Sequence, residues 1–430
     1  MKIGAITAVV VGCGDRACVY AEEGVFSLKK IKVVAAVDPD ENRLKYMREH
    51  FGVPAKMCFT GQDELLAMGK IADCVINGTM DQYHKQTAIP FLEQGYHMLL
   101  EKPIVNNEAD LMEIKRIADE HGCILMTCHV LRFAPFYRKI KETILAGAIG
   151  KPISIQTSER VGYAHSSMSY IRGKWRKESE CGSSLLLAKC CHDLDLLCWL
   201  NNSTVPDEVS SFGGRDFITP ENAPDGAGTR CLTDCSEEVR RNCIFDVTPM
   251  YLNNCLLPWY PWQCTGKDYR EISDEEKIDS LKTYNPHGVC AFKAGGDIVD
   301  HQVVSIKFAN SSTAVHTMVL GCAKPGRSIW ISGTRGEIEG RADDGILFLR
   351  NYDRKTSAYT EQKFDFCELY GETGGHFGGD KGLMADFCDV LAGKTPSVSY
   401  TSIEDSINGH VLVYRADEAM QKGTVVKFVE

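Results

Sequence analysis

Ala5-Ile6-Thr7-Ala8-Val9-Val10-Val11-Gly12-Cys13-Gly14-Asp15-Arg16-Ala17 is the stretch whose reading decides the fold. The unbroken apolar run suits a parallel strand buried on both faces, and a helix is expected to begin near Arg16. Gly12 and Gly14 permit a tight strand-to-helix turn and close approach of a pyrophosphate to the backbone. The helix start then offers N–H groups and a positive dipole end, flanked by Asp15 and Arg16. Ala17 stands where a third small residue belongs.

Working outward, Lys32–Val37 reads as a second strand delivering Asp38 at about the 20-residue distance expected of a ribose-binding acid. Its charge disfavours a 2′-phosphate, which points to NAD over NADP, while nearby Arg43 keeps NADP open. Charged helix Asp40–His50, strand Asp73–Asn77, helix Gln82–Gln94, strand Tyr96–Leu100, helix Glu108–Glu120 and strand Cys123–Cys128 continue the alternation. Such units predict an α/β Rossmann domain, a doubly wound parallel sheet, over 1–128.

The remainder, 129–430, changes texture. Ile153–Glu159, Val299–Phe308, Thr313–Leu320, Ser328–Gly333 and Ile346–Arg350 read as strands, and Ser184–Leu200 as a helix. An α+β domain with a large, mainly antiparallel open sheet is expected, serving substrate binding and oligomerisation. A Cys- and aromatic-rich stretch at about 202–286 interrupts it. A loop that long without structure is unusual, so it should pack over a site or be stapled.

With 430 residues the chain has room for two to three domains, at about 150 residues each. A net charge of −10 without a basic block argues against nucleic acid. The apolar run Ile3–Val11 is too short to span a bilayer, which takes about 20 residues, and it lacks a cleavage pattern. No membrane partner is expected. Nineteen cysteines without a secretory leader suggest free thiols in a reducing cytoplasm.

Glu101-Lys102-Pro103 follows the strand Tyr96–Leu100, whose C-terminal end faces the ligand crevice of such a sheet. A lysine there can take a hydroxyl proton. Together with Gly12-Cys13-Gly14, Asp38, Asp81-Gln82-Tyr83-His84 and the helix bearing His192, this motif resembles the Gfo/Idh/MocA family of NAD(P)-dependent sugar and cyclitol oxidoreductases. The resemblance implies that Lys102 is catalytic and that His84 lies near the nicotinamide. It leaves Asn77 and Glu101 at strand ends lining the cofactor, with His192 and Asp195 on the second-domain helix. The family's usual Asp four residues before the His is replaced by Ala188, which makes Lys189 a candidate participant; a Lys189–Asp193 ion pair is the plainer alternative.

Arg132 after the last Rossmann strand, and Tyr163, His165, Arg172 and Trp175 after a second-domain strand, suit a polyol: rings stack on sugar faces and polar groups address hydroxyls. His301 and His376 approach the substrate by resemblance. Cys231-x3-Cys235-x7-Cys243, with Cys255 and Cys264 beyond, could hold a structural zinc, with free buried thiols as the alternative.

The leading expectation is an NAD-dependent dehydrogenase of a secondary hydroxyl in a sugar or glycoside. A redox-neutral glycoside-cleaving enzyme using transient oxidation is the competitor, and a non-catalytic NAD-linked binding protein the third reading. A homodimer or homotetramer is expected from the resemblance.

Overall fold

The computed structural model describes residues 5–370 and 375–429. Its N-terminal sheet contains β1 (Ile6–Val11), β2 (Ile31–Val37), β3 (Cys58–Phe59), β4 (Cys74–Asn77), β5 (His97–Leu100) and β6 (Leu125–Thr127). They lie in the order β3-β2-β1-β4-β5-β6, all parallel. Alternation along β1 explains why both faces must be covered. Val9 and Val11 point into one core, whereas Ala8 and Val10 point into the other. Strand order reverses between β1 and β4, and the crevice at their C-terminal ends is the binding position of such sheets. The two-residue β3 is too short to carry a sequence signal.

Helices α1 (Asp15–Glu22), α2 (Glu41–Phe51), α3 (His84–Glu93) and α4 (Glu108–Glu120) connect these strands. Asp40 caps α2 by accepting from the Asn42 N–H, and Asn107 caps α4 by accepting from Asp110. These caps account for the accuracy of the expected helix starts.

The second sheet has nine strands: β7 (Pro152–Gly162), β8 (Pro206–Gly214), β9 (His301–Phe308), β10 (Thr313–Cys322), β11 (Gly326–Gly333), β12 (Gly336–Arg341), β13 (Ile346–Asp353), β14 (Ala358–Asp365) and β15 (Val426–Lys427). Only β7 and β10 pair in parallel. Helices α5 (Leu185–Leu200) and α7 (Ile403–Lys422) cover one face, while helix α6 (Gly379–Leu391) crosses back to the N-terminal sheet. Along β9, buried Gln302, Val304, Ile306 and Phe308 alternate with more accessible residues, the pattern of a sheet with one open face. Strands β12 and β14 escaped the sequence reading because Gly, Glu, Gln and Lys dilute their apolar alternation.

The insertion expected from about 202 needs correcting. Pro206–Gly214 is β8, hydrogen-bonded to β9, so the irregular segment begins only at 215. It continues beyond 286 to the start of β9. It is far from structureless: Phe245, Val247, Met250, Tyr251, Trp262, Leu281 and Phe292 form a core of their own with Met168 and Ile171. Among the described residues, no helix is long and apolar enough to cross a membrane.

Candidate active site

The crevice is built first by glycine. Gly12 adopts φ +73°, and a Cβ there would stand 2.6 Å from the Thr79 backbone nitrogen. Only glycine lets the β1 turn lie this close to the loop after β4. Helix α1 begins after Gly14 with no side-chain cap, leaving its first N–H groups to an external acceptor. Burial raises the Asp15 carboxyl pKa in that first turn. A dinucleotide pyrophosphate fits this cradle. At the adenosine end, Asp38 is buried and accepts from the backbone N–H groups of Cys13 and Asp40, both at 2.8 Å. Arg43 lies 3.3 Å from Asp38 at the rim.

Four residues expected at the cofactor have other partners. Arg16 is bound by Glu101 at 3.2 Å, by Asp380 of α6 and by Tyr20, so its guanidinium ties α1 to the crevice floor. Glu101 is consumed by Arg16, by Tyr20 and by the Lys102 N–H. His84 is fully buried, with one ring nitrogen against the carbonyls of Pro103 and Ile104 and the other against that of Thr79. It shapes the turn after Lys102 and does not reach the crevice. The Asn77 amide similarly braces Thr79 and Thr87.

Lys102 projects from the C-terminal end of β5, next to a cis Lys102–Pro103 bond. Its Nζ donates to the Ala188 carbonyl in the first turn of α5, at 2.8 Å. No carboxylate pairs with it among the described residues. His192, one turn further along α5, is buried, and its Nδ1 meets the Nδ1 of His129 at 3.4 Å. Burial, then the Lys102 charge, drives His192 well below its ordinary pKa, and burial with Arg132 does the same to His129. Both are neutral imidazoles, one donating to the other. His129 therefore occupies the supporting role that the sequence sought in a carboxylate at Ala188.

Lys189 pairs with Glu159 at 3.2 Å, and the expected Asp193 is taken by Arg327 at 2.8 Å. Against the upward push of burial, Arg327 and Lys189 hold the Glu159 carboxyl down at about 2. Burial and the Lys189 charge push His165 down to about 3. His376 lies 3.3 Å from Asp380, its ring 6.3 Å from that of His192; neighbouring Gly374 lies outside the described residues. Trp175 donates from Nε1 to Asp81 at 3.1 Å, and Tyr163 is exposed beside the end of β7. His301 is half exposed and held by Asp300 at 2.8 Å.

Two expected substrate arginines are corrected. Arg132, 1% exposed, forms a two-pronged pair with Asp195, with Nε–Oδ2 at 2.7 Å, and also bonds the Tyr400 and Asp405 carbonyls. Both members of that pair are buried and spent on each other. Arg172, also 1% exposed, bonds the Val289 and Phe245 carbonyls, Ser167 and Tyr251, which makes it the hub of the insertion.

Sequence reading missed Lys174, although it lies within the run from Glu159 to Trp175. Its side chain is exposed, with the ammonium 5.9 Å from the centre of the Tyr260 ring of the insertion. Asn42 of α2 donates to the Gly266 carbonyl at 2.7 Å, so the insertion roofs the adenosine end. The zinc expectation for Cys231, Cys235 and Cys243 also changes. They line one cavity together with Cys290, yet among the described residues the only three possible ligand atoms lying within 4.8 Å of one another belong to Cys190, Asp193 and His316. Arg327 already neutralises that Asp193.

Comparison with known proteins matches both parts of the chain to one family. Residues 6–129 match the family described as GFO_IDH_MocA, "Oxidoreductase family, NAD-binding Rossmann fold", and residues 141–428 its "C-terminal alpha/beta domain". YteT of Bacillus subtilis (strain 168) is 24% identical over 387 residues, covering 86% of this chain and 84% of that protein. The 2,7-anhydro-N-acetylneuraminate hydratase of Mediterraneibacter gnavus is 30% identical over 184 residues, covering 43% of this chain and 46% of that one. Scyllo-inositol dehydrogenase from Lactobacillus casei, solved with NAD(H) and scyllo-inositol, superimposes with a TM-score of 0.65 at 16% identity over 99% of this chain and 100% of that one. At that identity the likeness concerns the fold.

Proposed function

The chain belongs to the Gfo/Idh/MocA oxidoreductase family, and from that premise we propose that it oxidises a secondary hydroxyl of a sugar or glycoside with NAD. The observation that carries this reading is Lys102: an amine at the sheet's C-terminal edge, aimed by the Ala188 carbonyl and next to neutral His192. NAD, when bound, supplies the hydride acceptor. The Gly12–Gly14 turn and the start of α1 hold the pyrophosphate. Asp38 turns toward the ribose hydroxyls and disfavours a 2′-phosphate, which selects NAD over NADP.

Lys102 takes the hydroxyl proton, and the His192–His129 pair fixes the substrate oxygen beside it. His165, Trp175 and His376 contribute the remaining surface of the sugar pocket. Residues 1–128 form the dinucleotide unit and 129–430 the substrate unit, with the open sheet face joining copies as a dimer or tetramer.

A second reading is redox-neutral cleavage of a glycosidic or anhydro linkage. The hydratase relative and Lys189, one turn before His192 on α5, favour it. Incubating the full chain with NAD and a panel of sugars and glycosides separates the two: net oxidation accumulates NADH with product, whereas cleavage releases product with NADH constant. Dinucleotide binding with neither outcome across the panel overturns both.

A further inference from the structure

Three of the four cysteines in the insertion's cavity come from one short loop. Cys235 and Cys243 flank the helix Glu237–Arg241, and Cys231 lies just before them. The fourth, Cys290, arrives from the other end of the insertion. An antiparallel bridge between Arg230 and Val289 sets it beside Cys231: the Cys231 N–H donates to Gly288, and that of Cys290 to Thr229. All four thiols line that one cavity. Cys255 and Cys264 instead spend their thiols on the carbonyls of Leu257 and Pro261.

Arg172 adds an independent observation. Its guanidinium is buried with no carboxylate partner among the described residues, and Nη2 donates to Cys231 Sγ at 3.5 Å. A buried cation is costly without a counter-charge. Metal-bound thiolates supply that charge, and an N–H···S bond is the contact through which a protein tunes such a centre.

The sulfur spacing bears on the occupant. With Zn–S about 2.3 Å, tetrahedral thiolates lie about 3.8 Å apart. Here no three of the four sulfurs come within 4.8 Å of one another. A cluster whose own iron and sulfide atoms stand between the thiolates takes the wider set.

We propose that Cys231, Cys235, Cys243 and Cys290 form a tetrathiolate metal centre occupied by an iron–sulfur cluster, which staples the insertion over the dinucleotide crevice. The centre is independent of the chemistry assigned to Lys102.

The test is iron, zinc and acid-labile sulfide measured on the full chain after anaerobic purification and again after reconstitution. About four iron and four sulfide per chain, with visible absorption, is expected. Cys290→Ser should lose most of this, and Cys264→Ser, in the same insertion but off the cavity, should keep it. Zinc alone overturns the cluster. Metal-free protein after both treatments, or metal retained by Cys290→Ser, overturns the centre. Where Cys290→Ser fails to fold, native-state alkylation of the unaltered chain decides: the four thiols should label only after chelation, and immediate labelling overturns the proposal.

Discussion

The N-terminal sheet and the insertion starting at 215 bury their backbones by opposite means. In the sheet, neighbouring strands satisfy one another's polar groups, and apolar side chains cover both faces. In the insertion, only short helices form, and stray carbonyls are collected by Arg172, Arg230 and Asn285. Repetitive hydrogen bonding tolerates the loss of any one side chain. A fold organised around a single buried cation does not. The contrast also divides the site, because the sheet supplies Lys102 and the crevice while the insertion supplies the roof.

The sharpest way to break this division is Lys102→Met. It should lower kcat by about 10²–10⁴-fold with dinucleotide affinity little changed, read by steady-state kinetics and by titration of NAD. An equal loss of NAD affinity would mean that Lys102 belongs to binding. Next in size, Arg132→Met leaves Asp195 buried and unpaired and should cost about 3–5 kcal/mol, lowering the urea midpoint of the whole chain.

Arg172→Met abandons the Val289 and Phe245 carbonyls, at about 2–4 kcal/mol. Limited proteolysis should then cut the insertion while the N-terminal sheet stays protected. Simultaneous cleavage of both regions would erase the distinction drawn between them.

Acid offers a finer comparison. Burial holds His410, at the junction of the two sheets, at about 3, and His287, in the insertion, at about 4. Both have folded values below the unfolded value of about 6.5. The unfolded chain therefore takes up protons first as pH falls. Stability is complete above pH 6.5 and declines below it by about 1.4 kcal/mol per pH unit for each residue, until each folded value is reached. Urea midpoints between pH 7 and 5 should show a shallower slope in His410→Asn and in His287→Asn. Only the latter should slow acid-induced proteolysis of the insertion.

Much of the first half was legible because its signals are local. A buried strand, a glycine turn and a capped helix are each written within a dozen residues, so Gly12, Asp38 and Lys102 could be placed before any coordinates. Residues such as Arg132, Asp195 and Arg172 were misjudged for one reason. Charged side chains near an expected pocket look like ligand contacts until the structure shows them spent on one another or on carbonyls. Strands β8, β12 and β14 were invisible because their partners, rather than their own patterns, define them.

The sequence by itself determined the alternating parallel sheet, the dinucleotide turn and the strand-end position of Lys102, since periodicity and turn chemistry act over short distances. Tertiary packing alone decided that His129 backs His192, that Glu159 claims Lys189, and that Cys290 joins Cys231, Cys235 and Cys243. Those pairings join residues far apart along the chain. Which buried group meets which is set by how the elements close on one another.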